Sequence, residues 1–215
     1  MSAIARLIGL SISAAASLTA VCAHAQPGDA WEIGPIIRAK NYSVGMPLYL
    51  TPTPRGLSFE FPYPDLQAGH VHYVTTASGP LWGKSRIVMR YRIEGTRGVR
   101  FVSRENPEAT PTLSLFFQRG GDSWNGKRHE FFRWWSPVGS MREVAPGERE
   151  ITVSLTDPNW ISVWGRPASQ NPEAFRAAQE EAVRVGFVFG TSAGRGHGVF
   201  ATAPARFTIL SFRII

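Results

Sequence analysis

The run Arg86-Ile-Val-Met-Arg-Tyr-Arg-Ile-Glu94 decides the fold class. Ile87, Met89, Tyr91 and Ile93 share one side of it, while Arg86, Arg90, Arg92 and Glu94 mostly occupy the other. A period of two with one apolar and one charged face belongs to a strand that is dry on one side and wet on the other. Shorter runs of the same kind lie on both sides of it. Leu57, Phe59 and Phe61 alternate with Ser58 and Glu60 until Pro62 and Pro64 stop them, because proline has no donor for a ladder. Residues 71–74, 99–103, 113–118, 129–136, 151–155 and 207–215 read as further short strands, Trp160 to Trp164 is a short apolar element, and Val183, Val185, Phe187 and Phe189 line one face before Gly190. Turn signals such as Arg119-Gly-Gly-Asp122, Ala145-Pro-Gly147 and Asp157-Pro158 separate them.

One helix stands against this background. Asn171 offers a cap, Pro172 suits the first helical position, and Phe175, Ala178 and Ala182 form one stripe, which predicts a helix over 171–182. About nine strands and one helix lack the helical crossovers of a doubly wound sheet. The expected fold is all-β: an antiparallel two-sheet β-sandwich, jelly-roll-like, with one short helix.

The N-terminus reads as an address. Arg6 supplies a positive charge, residues 7–22 are apolar or small, and Ala23-His-Ala25 is a small-x-small cleavage site, so residues 1–25 are expected to be a signal peptide and 26–215 a single β-sandwich domain. This predicts a periplasmic or secreted protein. The leader's apolar core is shorter than a spanning helix needs and no second run of membrane length follows, so no transmembrane anchor is expected. Cys22, the chain's one cysteine, would leave with the leader, and a sandwich of 190 residues would hold by its core alone. The formal charge of +7 is carried largely by arginine, which suits recognition of carboxylates and phosphates. No RNA-binding aromatic signature, zinc-finger spacing or dense basic tail is present, so nucleic acid is not an expected partner.

Five of the seven tryptophans, Trp124, Trp134, Trp135, Trp160 and Trp164, fall within about forty residues. Large aromatics stack on sugar rings, and they also fill sandwich cores. Trp134 and Trp135 must face opposite ways in a regular strand, which puts one of them in the core. Trp82 and Trp124 sit in turn-rich loops and carry fewer packing obligations. The segment Phe189-Gly-Thr-Ser-Ala-Gly-Arg-Gly-His-Gly-Val-Phe200 is rich in glycine but lacks the Lys-Ser/Thr ending of a phosphate loop. It reads either as a wide hairpin or as a backbone that presents Arg195 and His197 at a binding rim. His70 and His72 have the spacing that places two side chains on one strand face, but no zinc helix or nucleophile elbow is present. No metal and no cofactor is assigned.

Trp124, Phe131-Phe-Arg-Trp-Trp-Ser136, Ala145-Pro-Gly147, residues 151–155, Trp160 and the final Ala205-Arg-Phe-Thr-Ile-Leu-Ser-Phe212 together resemble the second half of bacterial extracellular jelly-roll domains of the galactose-binding-like and carbohydrate-binding-module type, over residues 85–215. The resemblance implies a glycan site of aromatic and arginine residues and, in some members, a structural calcium. The expected function is non-catalytic binding of a glycan or anionic cell-envelope polymer through Trp82, Trp124, Arg133, Trp134, Arg195 and His197. Two alternatives stay open: a small periplasmic or secreted glycoside hydrolase-like enzyme using Glu130 with Asp122 or another carboxylate, and a structural envelope protein whose aromatics are core.

Overall fold

The computed structural model describes residues 31–215; the leader, its cleavage site and Cys22 lie outside the described residues. The chain runs through β1 (Glu32–Gly34), β2 (Ile36–Ile37), β3 (Lys40–Asn41), β4 (Thr51–Thr53), β5 (Gly56–Glu60), β6 (Tyr73–Ala77), β7 (Arg86–Gly95) and β8 (Phe101–Ser103). It continues through β9 (Thr112–Arg119), β10 (Arg133–Trp135), β11 (Arg142–Glu143), β12 (Gly147–Ser154), β13 (Ile161–Ser162), helix α1 (Pro172–Glu180), β14 (Ala182–Gly190), β15 (Val199–Ala201) and β16 (Ala205–Ile214). Strands β1-β6-β14-β9-β10-β13, with β11 also on β9, make a seven-stranded antiparallel sheet, and β12-β7-β16-β5-β4 make a five-stranded one. The two small pairs β15-β8 and β2-β3 complete a jelly-roll-like sandwich with one short helix.

The alternation in β7 holds except at Val88, which is buried although it lies on the charged side. Ile87, Met89, Tyr91 and Ile93 are sealed in the core, while Arg90 and Arg92 reach Glu148 on the neighbouring β12 at 2.7 and 2.9 Å. Phe207 of β16 is the hinge of the core. It stacks on Phe59 and Tyr91 of its own sheet, at 5.2 and 5.0 Å, and on Phe187 of the facing sheet at 5.0 Å.

Three local expectations change. Residues 129–132 form a turn rather than strand, so only Arg133–Trp135 pairs in that stretch. A bulge between Ala182 and Arg184 throws Val183 out to 45% exposure, and the core face of β14 begins at Val185. Helix α1 ends at Glu180, leaving Ala182 to start β14, and Asn171 spends its side-chain amide on the Pro167 carbonyl, 3.1 Å away, rather than on a cap.

The glycine-rich segment folds back over the end of β6. Gly196, at φ 73°, lies so close to Tyr73 that a Cβ there would fall 2.4 Å from the phenol oxygen. A Cβ on Gly198, at φ 94°, would sit 2.8 Å from His72 Nε2. His72 is buried and donates from Nδ1 to the Gly196 carbonyl at 2.7 Å, which leaves Nε2 bare and without a partner among the described residues. Burial pushes the His72 pKa down to about 4; the bond to Gly196 opposes this, and nearby His70, Arg104 and His197 add to the lowering. His70, its ring 4.7 Å from that of His72, is also depressed, chiefly by burial and then by Arg104.

Two outcomes follow for stability. Phe207→Ala is expected to lose about 3–5 kcal/mol in urea unfolding, against a few tenths for Trp82→Ala, whose side chain lies outside the core. The histidine effect has a fixed sign. A buried base with a depressed folded pKa takes its proton first in the unfolded chain, so stability is whole above about pH 6.5 and falls as pH drops toward 4. His72 accounts for about 3 kcal/mol of that fall. Unfolding midpoints at pH 7.5 and 4.5 should therefore differ more for the native chain than for His72→Asn, which still has an amide to donate but takes up no proton.

Candidate functional site

The outer face of the seven-stranded sheet is not a simple wet surface. On it, Tyr73 (β6), Phe116 (β9), Trp135 (β10) and Val188 (β14) form a second apolar cluster, with Trp124, Ile161 and Val163 packed against them. Cross-strand register makes this possible: Phe116 faces Trp135 on one side and Gly186 on the other, while Val188 faces Tyr73. Gly186 is required there, because a Cβ would fall 2.1 Å from the Val74 carbonyl oxygen.

Asp122 organises the polar edge of this cluster. Its carboxylate is fully buried, with Oδ2 2.7 Å from Arg133 Nε and accepting from Gln118 Nε2 at 3.0 Å. Oδ1 accepts the backbone N–H of Trp124 at 2.8 Å, an Asx turn that reads in sequence as Asp122-Ser-Trp124. The turn holds Trp124 at φ 62°, a left-handed conformation that a bulky residue seldom adopts. The Trp124 indole meets the Tyr73 ring edge to face at 5.1 Å, and the Arg133 guanidinium lies over it at 4.7 Å. Arg133, itself buried, is thereby paired with a carboxylate and an aromatic face. His129 supports the same loop, accepting from the Ser123 N–H at 2.8 Å and stacking on Phe132 at 4.3 Å.

Trp124 stands between two hollows. One, of about 400 Å³, crosses the sheet face and is lined by Glu32, Tyr73, Thr75, Gln118 and Arg184 together with Trp124. Arg184 donates to Glu32 and, at 3.3 Å, to Thr75 Oγ1. The other, of about 500 Å³, is lined by Arg38, Lys40, Tyr42, Ser123 and Asn125 with Trp124. On the far side of the same loop, Trp164 is 60% exposed and donates its indole N–H to the Gly126 carbonyl at 2.9 Å.

Of the residues expected from sequence to form the surface, only Trp124 and Arg133 come together, and Arg133 does so from beneath. Trp134 is corrected to core. It points to the inner face, fully buried, packs edge-on against Phe175 at 4.9 Å and spends its indole N–H on the Phe131 carbonyl at 2.9 Å. Trp135 takes the outer face but is also buried there. Arg195 is corrected likewise. It turns inward to 6% exposure, donates to the Ser136 carbonyl and has its pKa lowered to about 10 by burial, so it ties the glycine-rich loop to the end of β10 rather than lining a rim. His197 remains outside and pairs with Glu105 at 2.5 Å. Trp82 is exposed but elsewhere, beside the helix, with Arg176 5.7 Å from its ring centre at a separate hollow of about 470 Å³.

Tyr73, Thr75, Gln118, Arg38, Lys40 and Tyr42 were not singled out in the sequence. Tyr73 and Thr75 carry a signal there, the period of two that places them together opposite Val74. Arg38 and Lys40 belong to a hairpin whose tip, Arg38-Ala39, holds φ of 50° and 62° without a glycine or asparagine to announce it. The carboxylates considered for hydrolysis are engaged: Asp122 as above, and Glu130 with Arg166 at 2.9 Å. No group of three or more potential metal ligands occurs among the described residues, and no described helix is long and apolar enough to cross a membrane.

No family model matches the sequence. No curated protein matches it either. Among solved structures, the chain is similar to a xylan-binding module, CBM15, at 14% identity and a TM-score of 0.41, covering 86% of this chain and 94% of that one. It is similar also to Xylanase10C from Cellvibrio japonicus in complex with xylopentaose, at 14% identity and a TM-score of 0.40, covering 86% of this chain but only 28% of that enzyme.

Proposed function

We propose that this protein binds a polysaccharide, without transforming it, along the outer face of the seven-stranded sheet on either side of Trp124, and that it does so in the periplasm or outside the cell. The observation that carries the reading is the preparation of Trp124. A buried carboxylate fixes its backbone in a strained turn, a guanidinium backs its ring, and a hollow opens on each side. Strain held in place by surrounding bonds is characteristic of sites that present a side chain for use. An aromatic ring flanked by hydrogen-bonding groups such as Thr75, Gln118, Ser123 and Asn125 suits the apolar face and the hydroxyls of a sugar.

Binding is favoured over hydrolysis by the state of the acids. The two carboxylates that line the sheet-face hollow, Glu32 and Asp122, are each paired with an arginine, Arg184 and Arg133. Two facing carboxyl groups free to give and take protons are what glycoside hydrolysis needs. The leader-like residues 1–25 support the address.

Affinity electrophoresis through gels containing a panel of neutral and acidic polysaccharides tests the reading. The native chain is expected to be retarded by at least one polymer. Trp124→Ala should weaken that retardation about tenfold or more, with Trp82→Ala unchanged. Because Trp124→Ala loosens the loop, its unfolding midpoint is measured beside it, and Trp124→Phe should recover part of the retention. Retention that is the same in all three variants would overturn the assignment of the site, and release of reducing sugar by the native chain would overturn the non-catalytic part.

A further inference from the structure

The two hollows beside Trp124 differ in charge. In the sheet-face hollow the lining arginines are paired, Arg184 with Glu32 and Arg119 with Glu181, and the lining Asp122 is paired with Arg133. The second hollow is lined by Arg38 and Lys40 and by no carboxylate. Neither cation forms an ion pair with any described residue; the Lys40 ammonium instead lies 5.2 Å from the centre of the Tyr42 ring. The loop that supplies Ser123, Trp124 and Asn125 also carries Lys127 and Arg128, both exposed and likewise without an ion-pair partner among the described residues. Other surface arginines divide between paired ones, such as Arg90 and Arg92 with Glu148, Arg119 with Glu181 and Arg206 with Glu60, and unpaired ones such as Arg97 and Arg100, which line none of the hollows beside Trp124.

The backbone marks the same place. Among the described residues, the non-glycine positions with positive φ are Arg38, Ala39 and Trp124. Arg38 and Trp124 line this hollow, and Ala39 joins Arg38 to Lys40. The tight β2-β3 turn therefore puts two cations on the wall of the same hollow as an aromatic that is itself held in a strained turn, with Tyr42 and Asn125 also lining it. Two aromatic rings suit a sugar ring, and an arginine with a lysine suits a carboxylate on it.

On the reading that the Trp124 surface binds a polysaccharide, we propose that this second hollow takes a uronate residue, so that the ligand is a polysaccharide carrying carboxylate sugars rather than a neutral one. Arg38 and Lys40 supply the charge, while Tyr42 and Trp124 supply the ring contact. The sheet-face hollow, already neutralised internally, takes an adjoining uncharged or weakly charged stretch of the chain.

The test uses polygalacturonate, alginate and glucuronoxylan, each beside its carboxyl-reduced form, with the native chain, Trp124→Ala, the double variant Arg38→Ala/Lys40→Ala and a control double variant Arg97→Ala/Arg100→Ala. The control removes the same charge from the turn that leaves β7 on the other sheet. The native chain should prefer at least one uronate polymer over its reduced form by about tenfold. The preference should vanish in Arg38→Ala/Lys40→Ala, persist in the control, and shrink with salt without disappearing. Equal retention of uronate and reduced forms would overturn the inference while leaving the binding surface in place. So would Trp124-dependent retention on neutral polymers alone. A preference lost equally in both double variants would assign it to net charge and overturn the site. No Trp124-dependent retention on any polymer, neutral or acidic, would overturn the binding reading and this inference with it.

Discussion

Phe116 and Phe117 are neighbours in β9, point to opposite faces, and are both sealed from solvent. The rest of the molecule follows from that constraint. Phe117 belongs to the core between the sheets, where Phe175 and Trp160 meet it. Phe116 needs a cover of its own, and the sandwich offers no third sheet to provide one. The cover comes from Tyr73 and Trp135 beside it and from Trp124 packed on Tyr73. A loop laid on an apolar surface brings backbone and charge with it, and both must be satisfied in a partly dry place. Asp122 does this: one carboxylate pairs with the buried Arg133 and accepts the N–H that Trp124 would otherwise leave unmet. The candidate site is therefore a by-product of covering Phe116, shaped into a surface by the residues chosen for the cover.

That origin explains why the proposed binding surface lies on the face that is usually the solvent side. In the five-stranded sheet the outer face of β7 is an ion-pair ladder with Glu148, and its arginines stay partly exposed. In the seven-stranded sheet the outer face is a floor, and loops with positive-φ residues stand over it. Each such residue costs on the order of 1–2 kcal/mol relative to an ordinary conformation. The structure holds three of them around one hollow while using glycine at the other left-handed turns, Gly121 and Gly165 among them. Arginine, alanine and tryptophan are kept there although glycine would relax the backbone. For Arg38 and Trp124, the side chain is then the reason for the strain.

The fold was legible in the sequence to the extent that burial follows a period of two. The strand over Ile87 to Ile93 reads directly, as do the runs through Phe59 and Ile151, because each has one dry face. Legibility fails where both faces are covered or a local device breaks the period. Trp134 and Trp135 are correctly opposed by alternation, yet alternation cannot say that both are buried, since the outer cover is tertiary. Val183 looks like the first core residue of its strand until the bulge beside it turns it outward. Arg195 looks like a rim residue because glycines surround it; their purpose is close approach to Tyr73 and His72, and the loop folds inward with its charge. Trp124 was legible as a loop tryptophan, but its packing against Tyr73 and Arg133 was not, because that contact is tertiary. Arg38 and Lys40 were not, because their hairpin turns on Arg-Ala, a pair that carries none of the usual turn chemistry.

The positive surplus of the chain has two possible consequences, and geometry separates them. Charge spread over a surface draws any polyanion from a distance, and salt removes that attraction for all polymers alike. A charge fixed beside an aromatic face discriminates, because the ring must be met before the carboxylate can be reached. Most of the basic side chains here that lie near acids are already paired, which removes them from the second role. Arg38 and Lys40 are set on a strained turn opposite Trp124, without an acid among the described residues to neutralise them. On the proposed reading, their position adds selectivity to the attraction that net charge gives toward any polyanion.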